Sequence, residues 1–270
     1  MIKVNGIIIQ QNHFPAGELL IKADFPDCEL MSIEWYYEND AELFALICVK
    51  RHIDEKYPGC FCELRMPYLA HARMDRVKSD EDVFTLKYFC EVINSLKFDI
   101  VWVRDAHSNV SLALLENVCE ENIVPYIYEA FKKSNSQALF FPDEGAMKRY
   151  AGGFQMPYAF GMKKRDWATG QILGLDLINK EAIVGKNVLI VDDICSKGGT
   201  FFHAAKALKA AGAKSVSLYV THCEKTIVTG ELAASDDLVD HVYTTKSIFP
   251  EELFEDGYDP YWKEWITVLE

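Results

Sequence analysis

The chain has 270 residues, half of them hydrophobic, and carries 28 Lys and Arg against 41 Asp and Glu, a formal charge of -13. That length suits one large or two medium domains, and that charge argues against a general nucleic-acid binder, which needs a basic face to release counterions. No apolar stretch reaches the roughly 20 residues that span a bilayer. The opening Met1 to Pro15 is too short and wrongly flanked for a signal peptide, so a cytoplasmic protein with no membrane and no nucleic-acid partner is expected. Eight cysteines without a C-x-x-C pair or a zinc-type ladder read as reduced, mostly buried thiols.

In chain order, Ile7 to Ile9 and Leu19 to Ile21 read as strands around the turn His13 to Glu18. Leu43 to Val49 and Cys62 to Met66 are further strand candidates, and Phe84 to Leu96 is an amphipathic helix. Asp99 to Val103 is a buried strand that runs into Arg104-Asp105-Ala106-His107. This alternation predicts a first α/β domain over residues 1–130. The apolar run Ile123 to Ile127 leads to the polar Lys132 to Ser136, a boundary signal. A second domain, residues 131–270, opens with a strand, Ala138 to Phe141, leading into Pro142-Asp143-Glu144-Gly145. The strand Pro157 to Met162 then ends in Lys163-Lys164-Arg165. The tail from Phe249 to Glu270 is too polar to read firmly.

The rest is organised around Asn187 to Thr200, NVLIVDDICSKGGT. Val188 to Val191 is an unbroken apolar run, as expected of a strand covered on both faces. It meets Asp192 and Asp193, then a loop whose Gly198 and Gly199 permit a tight turn before Thr200 opens a helix ended by Gly212. Ser215 to His222 follows as a strand, completing a right-handed crossover. A loop between a strand's carboxyl end and a helix's amino end offers unpaired N–H groups to a phosphate ester. Adjacent strand residues point to opposite faces, so the two acids can share a task only if the strand has already turned. A ribose cis-diol, held directly or through Mg2+, suits them, and helix capping is the plainer alternative.

This string resembles the signature of type I phosphoribosyltransferase folds, two acids followed by D-T-G-G-T, with Ser196 and Lys197 departing from the first two loop positions. Pro67 to Arg76, PYLAHARMDR, resembles the P-Y-x-x-Y-A-R-Q-D-R run of ribose-phosphate pyrophosphokinases, with Met74 in place of glutamine. Asp105-Ala106-His107 is similar to that family's D-L-H, and Phe14 to Glu18 to its F-S-D-G-E with Ala16 for the middle acid. Phe141 to Gly145 resembles its S-P-D-x-G, and Lys163 to Arg165 its K-R-R. The family's first N-terminal helix and its C-terminal helix have no counterpart in the sequence.

The resemblance implies two phosphoribosyltransferase-like α/β domains, each a mostly parallel sheet flanked by helices. It implies transfer of the diphosphoryl group of MgATP to the anomeric hydroxyl of a ribose phosphate, with AMP released. In that reading Phe14, Glu18, Arg73, Asp75, Arg76 and His107 bind ATP, and Phe14 and Glu18 do so for a neighbouring subunit of a homo-oligomer. Lys163 and Arg165 are catalytic, at the root of a loop from Lys163 to about Gly174, and His107 and Asp143 assist Mg2+. Asp192 and Asp193 hold the ribose, and Ser196, Lys197, Gly198, Gly199 and Thr200 grip its phosphate. The exchange of an acid and a threonine for Ser196 and Lys197 suits a 5′ phosphate that continues into a diphosphate ester, so ADP-ribose stands beside ribose 5-phosphate as acceptor. In this the chain resembles the ADP-ribose pyrophosphokinase variant of the family. A phosphoribosyltransferase and a catalytically silent regulatory homologue are the rival readings.

Overall fold

The computed structural model describes residues 1–26, 28–165, 172–235, 237–249 and 261–270. The chain divides into the units Met1–Asn122 and Ile123–Glu270, not at 130/131 as expected. The reason is local. The apolar run at Ile123 begins a helix, with Pro125 in its first turn, whose Ile127 and Ala130 join the second unit's core. The polar segment Lys132 to Ser136 therefore lies inside that unit.

The first unit runs β1 (Ile2–Val4), β2 (Ile7–Ile8), β3 (Asn12–His13), β4 (Leu19–Leu20), β5 (Leu30–Trp35), α1 (Ala41–Lys56), β6 (Phe61–Met66), α2 (Thr85–Ser95), β7 (Ile100–Arg104), α3 (Asn109–Leu114) and β8 (Val118–Glu121). Six strands form a sheet in the order β2-β1-β5-β6-β7-β8, parallel from β5 to β8, and β3 pairs with β4 as a separate hairpin. Leu43 to Val49 is not a strand: it lies within α1, where Ala45, Leu46, Val49 and Ile53 are buried at helical spacing. Successive neighbouring strands joined by right-handed crossovers carry α1, α2 and α3 to one face of the sheet. Met31, Ile33, Trp35, Leu64, Met66, Val101 and Val103 are buried. The alternate positions form a cross-strand row instead, Lys3 beside Glu34, Glu34 beside Arg65 and Arg65 beside Trp102.

The second unit runs α4 (Val124–Lys133), β9 (Ala138–Phe141), α5 (Glu144–Tyr150), β10 (Tyr158–Arg165), β11 (Ile172–Ile178), β12 (Asn187–Cys195), α6 (Gly199–Ala210), β13 (Ser215–Cys223), β14 (His241–Thr245), α7 (Tyr261–Trp265) and β15 (Ile266–Leu269). Its sheet has the order β11-β10-β9-β12-β13-β14-β15, and among the described residues only the β10/β11 pair is antiparallel. Val188, Ile190, Val216 and Leu218 pack with Phe201, Ala204, Ala205 and Leu208 of α6. Leu189, Val191 and Tyr219 pack on the other side with Ile127, Ala130, Ala146 and Tyr150 of α4 and α5. Helices on both faces explain the unbroken apolar run of β12. The tail, unreadable in sequence, contributes β15 to the sheet edge. Both units are thus mostly parallel α/β sheets flanked by helices.

Candidate active site

In the first unit, Phe14 and Glu18 face each other across the base of the β3–β4 turn. The Phe14 N–H donates to the Glu18 carbonyl at 2.8 Å, and Gly17, at φ +90°, donates to the Phe14 carbonyl at 2.8 Å. Both side chains are exposed, Phe14 by 49%. After β6, Tyr68, Leu69, Ala70 and Ala72 are buried and anchor the loop that presents Arg73 to solvent. Asp75 is only 5% exposed and takes Nε and Nη2 of Arg76 at 2.6 and 2.9 Å, a bidentate pair. The Arg76 guanidinium holds the Asp75 carboxyl below its usual range, and His107 adds to the effect. The two strong bonds of Asp75 thus stay within the Pro67–Arg76 loop, while Ser108 and His107 of the turn after β7 lie near enough to act on its carboxyl. That turn is sharp: Asp105 and His107 both adopt left-handed backbone, at φ 47° and 62°, and the His107 N–H donates to the Asp105 carbonyl at 2.8 Å.

In the second unit, β12 continues through both acids to Cys195. Val188 and Ile190 face one core layer and Leu189 and Val191 the other, yet Cys195 returns to the first layer. The pairing with β13 keeps one register from Asn187 to Cys195, and Asp193 keeps to the side of Arg149 of α5, yet the two acids lie near enough for the Asp193 carboxyl to act on Asp192. Burial, together with the Asp193 carboxylate beside it, holds Asp192 well above the usual carboxylate range, and Asp143 pushes the same way. The Asp193 N–H donates to Oδ1 of Asp192 at 3.0 Å, and Nη1 of Arg149 lies 3.5 Å from Oδ2 of Asp193. Asp143 caps α5, its Oδ1 accepting from the Ala146 N–H at 3.1 Å. Helix capping is thus the visible task of Asp143, whereas the 192/193 pair caps no helix.

The loop that follows turns at Gly198, φ +80°, which is the N-cap of the twelve-residue α6. Ser196 is half-buried, while Lys197 and Thr200 are exposed. A neighbouring strip, Gly230 to Leu232, is built onto this loop. A methyl group on Gly230 would lie 1.9 Å from the Lys197 carbonyl oxygen, and one on Gly198 would lie 2.7 Å from Cβ of Leu232. Lys163 and Arg165 sit in β10 opposite Leu175 and Ile172, with an irregular register between Lys164 and Arg165. The side chains of residues 163–174, and all of 166–171, lie outside the described residues.

His107 belongs to the first unit and Asp143 to the second. Among the described residues no three His, Cys, Asp or Glu side chains form a metal-holding group. Two participants were invisible in the sequence. Arg149 could have been suspected as a cation one turn and a half past the Asp143 loop. The 230–232 strip gave no signal, since only tertiary packing brings it to residues 197–199.

A family model of the phosphoribosyl transferase domain matches residues 153–257, which contain the acid pair, the loop and the strip. The ribose-phosphate pyrophosphokinase of Pyrococcus abyssi is 29% identical over 227 residues, 81% of this chain and 77% of that protein. That of Pyrococcus furiosus is 31% identical over 189 residues, 68% of this chain and 65% of that protein. The fold matches the phosphoribosylpyrophosphate synthetase from Mycobacterium smegmatis with a TM-score of 0.74 at 18% identity, covering 97% of this chain and 85% of that one. The second unit is therefore a phosphoribosyltransferase-type domain. The chain as a whole, carrying the motifs of both units in order, is similar to the ribose-phosphate pyrophosphokinases.

Proposed function

We propose that this chain transfers the β,γ-diphosphoryl group of ATP to the C1 hydroxyl of a ribose phosphate and releases AMP, a reading supported by relatives named ribose-phosphate pyrophosphokinase. The observation that carries it is the junction of β12 and α6, where an adjacent acid pair precedes a glycine loop at a helix amino end. Asp192 and Asp193 accept hydrogen bonds from the ribose hydroxyls, and the N–H groups at Gly199 and Thr200 face the 5′ phosphate. Lys163 and Arg165 neutralise charge developing on the transferred group, which needs positioning more than covalent help. Phe14, Glu18, Arg73, Asp75, Arg76 and His107 hold the nucleotide, and the exposed Phe14 hairpin serves a neighbouring copy in a homo-oligomer.

The crowding that raises Asp192 fits a hard divalent cation. Mg2+ commonly takes only one or two carboxylates plus substrate phosphates, so a three-ligand cage is not required. Bound there with help from Asp143, it would supply charge neutralisation for the phosphates. The acceptor favoured is one extended beyond its 5′ phosphate, such as ADP-ribose, because Ser196 places no negative charge in the loop and the exposed Lys197 offers a cation to a second phosphate. The test is AMP formation from MgATP with ribose 5-phosphate and with ADP-ribose at equal concentration. AMP that needs both substrates supports the reaction, and faster turnover of ADP-ribose supports the extended acceptor. A pyrophosphate-releasing reaction without ATP returns the chain to the phosphoribosyltransferase reading.

A further inference from the structure

The Gly230–Leu232 strip forms one wall of the loop that precedes α6, and only one of its three residues has a side chain to offer. Gly230 has none and could carry none, because its Cα rests against the Lys197 peptide. Leu232 is buried, 1% exposed, over Gly198. Between them Glu231 is exposed, and its Oε2 lies 3.8 Å from where a methyl group on Gly199 would stand. Gly199 is the first residue of α6, so this carboxylate stands beside the amino end at which the phosphate is to be gripped.

A carboxylate at such a place repels a phosphate, and repels it in proportion to the phosphate's charge. A terminal phosphomonoester carries close to two negative charges near neutral pH, because its second ionisation lies near pH 6. The same phosphorus in a diphosphate diester carries one, and the other negative charge sits on the next phosphorus, where Lys197 is the cation within the loop. We infer that Glu231 is a specificity-determining residue, disfavouring a sugar with a terminal 5′ phosphomonoester relative to one whose 5′ phosphate continues into a diphosphate ester. This deepens the proposed function and rests on its assignment of residues 196–200 to the 5′ phosphate. One extra charge at a separation of about 6 Å changes affinity roughly three- to a hundredfold as the effective dielectric goes from about 80 to about 20.

The test is calorimetric binding of ribose 5-phosphate and of ADP-ribose to the full chain and to its Glu231→Gln and Glu231→Ala variants, with AMP formation followed in parallel. Removing the charge should raise affinity for ribose 5-phosphate by about tenfold relative to ADP-ribose, in both variants alike. General damage to the loop would weaken both sugars together and leave the ratio where it was, and a ratio unchanged within about twofold overturns the inference. Sugar binding without AMP formation in the unsubstituted chain would sink the proposed reaction while leaving the ratio to judge Glu231. Failure of both sugars to bind the unsubstituted chain and both variants would remove both.

Discussion

His71 and Asp40 are joined by a 2.9 Å hydrogen bond from imidazole Nε2 to carboxylate Oδ1, and the Tyr37 hydroxyl donates to the same oxygen at 2.7 Å. His71 stands in left-handed backbone, φ 63°, two residues before Arg73 in the loop assigned to the nucleotide. The shared acceptor holds an unfavourable conformation that the local sequence alone would not keep. Asp40→Ala should therefore loosen residues 71–76, speeding their amide hydrogen exchange and raising KM for ATP several-fold while kcat changes little. Unchanged exchange in that loop would leave the bond a surface contact, as exposed ion pairs often are.

Acid should act through Asp75. Its folded-state pKa is depressed, chiefly by Arg76, so its stabilising contribution is present above the unfolded value of about 3.9 and is lost as pH falls through the lowered folded value. Comparing the melting temperatures of the unsubstituted chain and Asp75→Asn should show the larger gap above about pH 5 and a closing gap below about pH 4. A gap that widens on acidification contradicts the sign.

Two glycines should respond to an added methyl group for different reasons, Gly185 through its left-handed backbone and Gly230, at φ -92°, through lack of space. Gly185, φ +70°, has nothing within 4 Å of such a group, so Gly185→Ala meets only backbone strain of about 1–2 kcal/mol. Gly230→Ala collides with the Lys197 carbonyl and must move the loop. Sugar-phosphate affinity should fall more than about tenfold in Gly230→Ala and hold within about twofold in Gly185→Ala, as read by titration. Equal affinities would detach the strip from the phosphate loop.

Lys163→Ala and Arg165→Ala should each lower turnover by at least about a hundredfold, the loss typical of one preorganised transition-state donor. Binding of either substrate should change much less, which separates a catalytic from a purely binding role. Near-normal turnover in both variants would make the basic triplet an ordinary solvated turn.

The parts legible in the sequence were those in which local pattern and tertiary environment agree. Val188 to Val191 read correctly because both its faces are buried, and Phe84 to Leu96 because its apolar residues Leu86, Phe89, Cys90 and Ile93 recur at helical spacing. Leu43 to Val49 misled because seven consecutive residues are apolar. The helix shows only when the polar continuation through Lys56 is counted, with Lys50 buried among the core positions. The acids were visible as residues but not as an interacting pair, since adjacent strand residues point to opposite faces and only burial in the fold makes one carboxyl act on the other. Glu231 was invisible because the loop it borders lies some thirty positions earlier in the chain.

The row Lys3, Glu34, Arg65, Trp102 on the first sheet bears on how that sheet avoids misassembly. Because side chains alternate, sliding one strand by a single residue turns its whole outward set inward. In most parallel sheets such a slide merely exchanges one aliphatic residue for another. Here it would drive Glu34, Arg65 or Arg104 toward the side that receives Met31, Leu64 and Val103, and would set unlike neighbours out of step along the row. The polar face thus works as a proofreading device during folding: it adds little cohesion to the correct pairing and penalises the near misses.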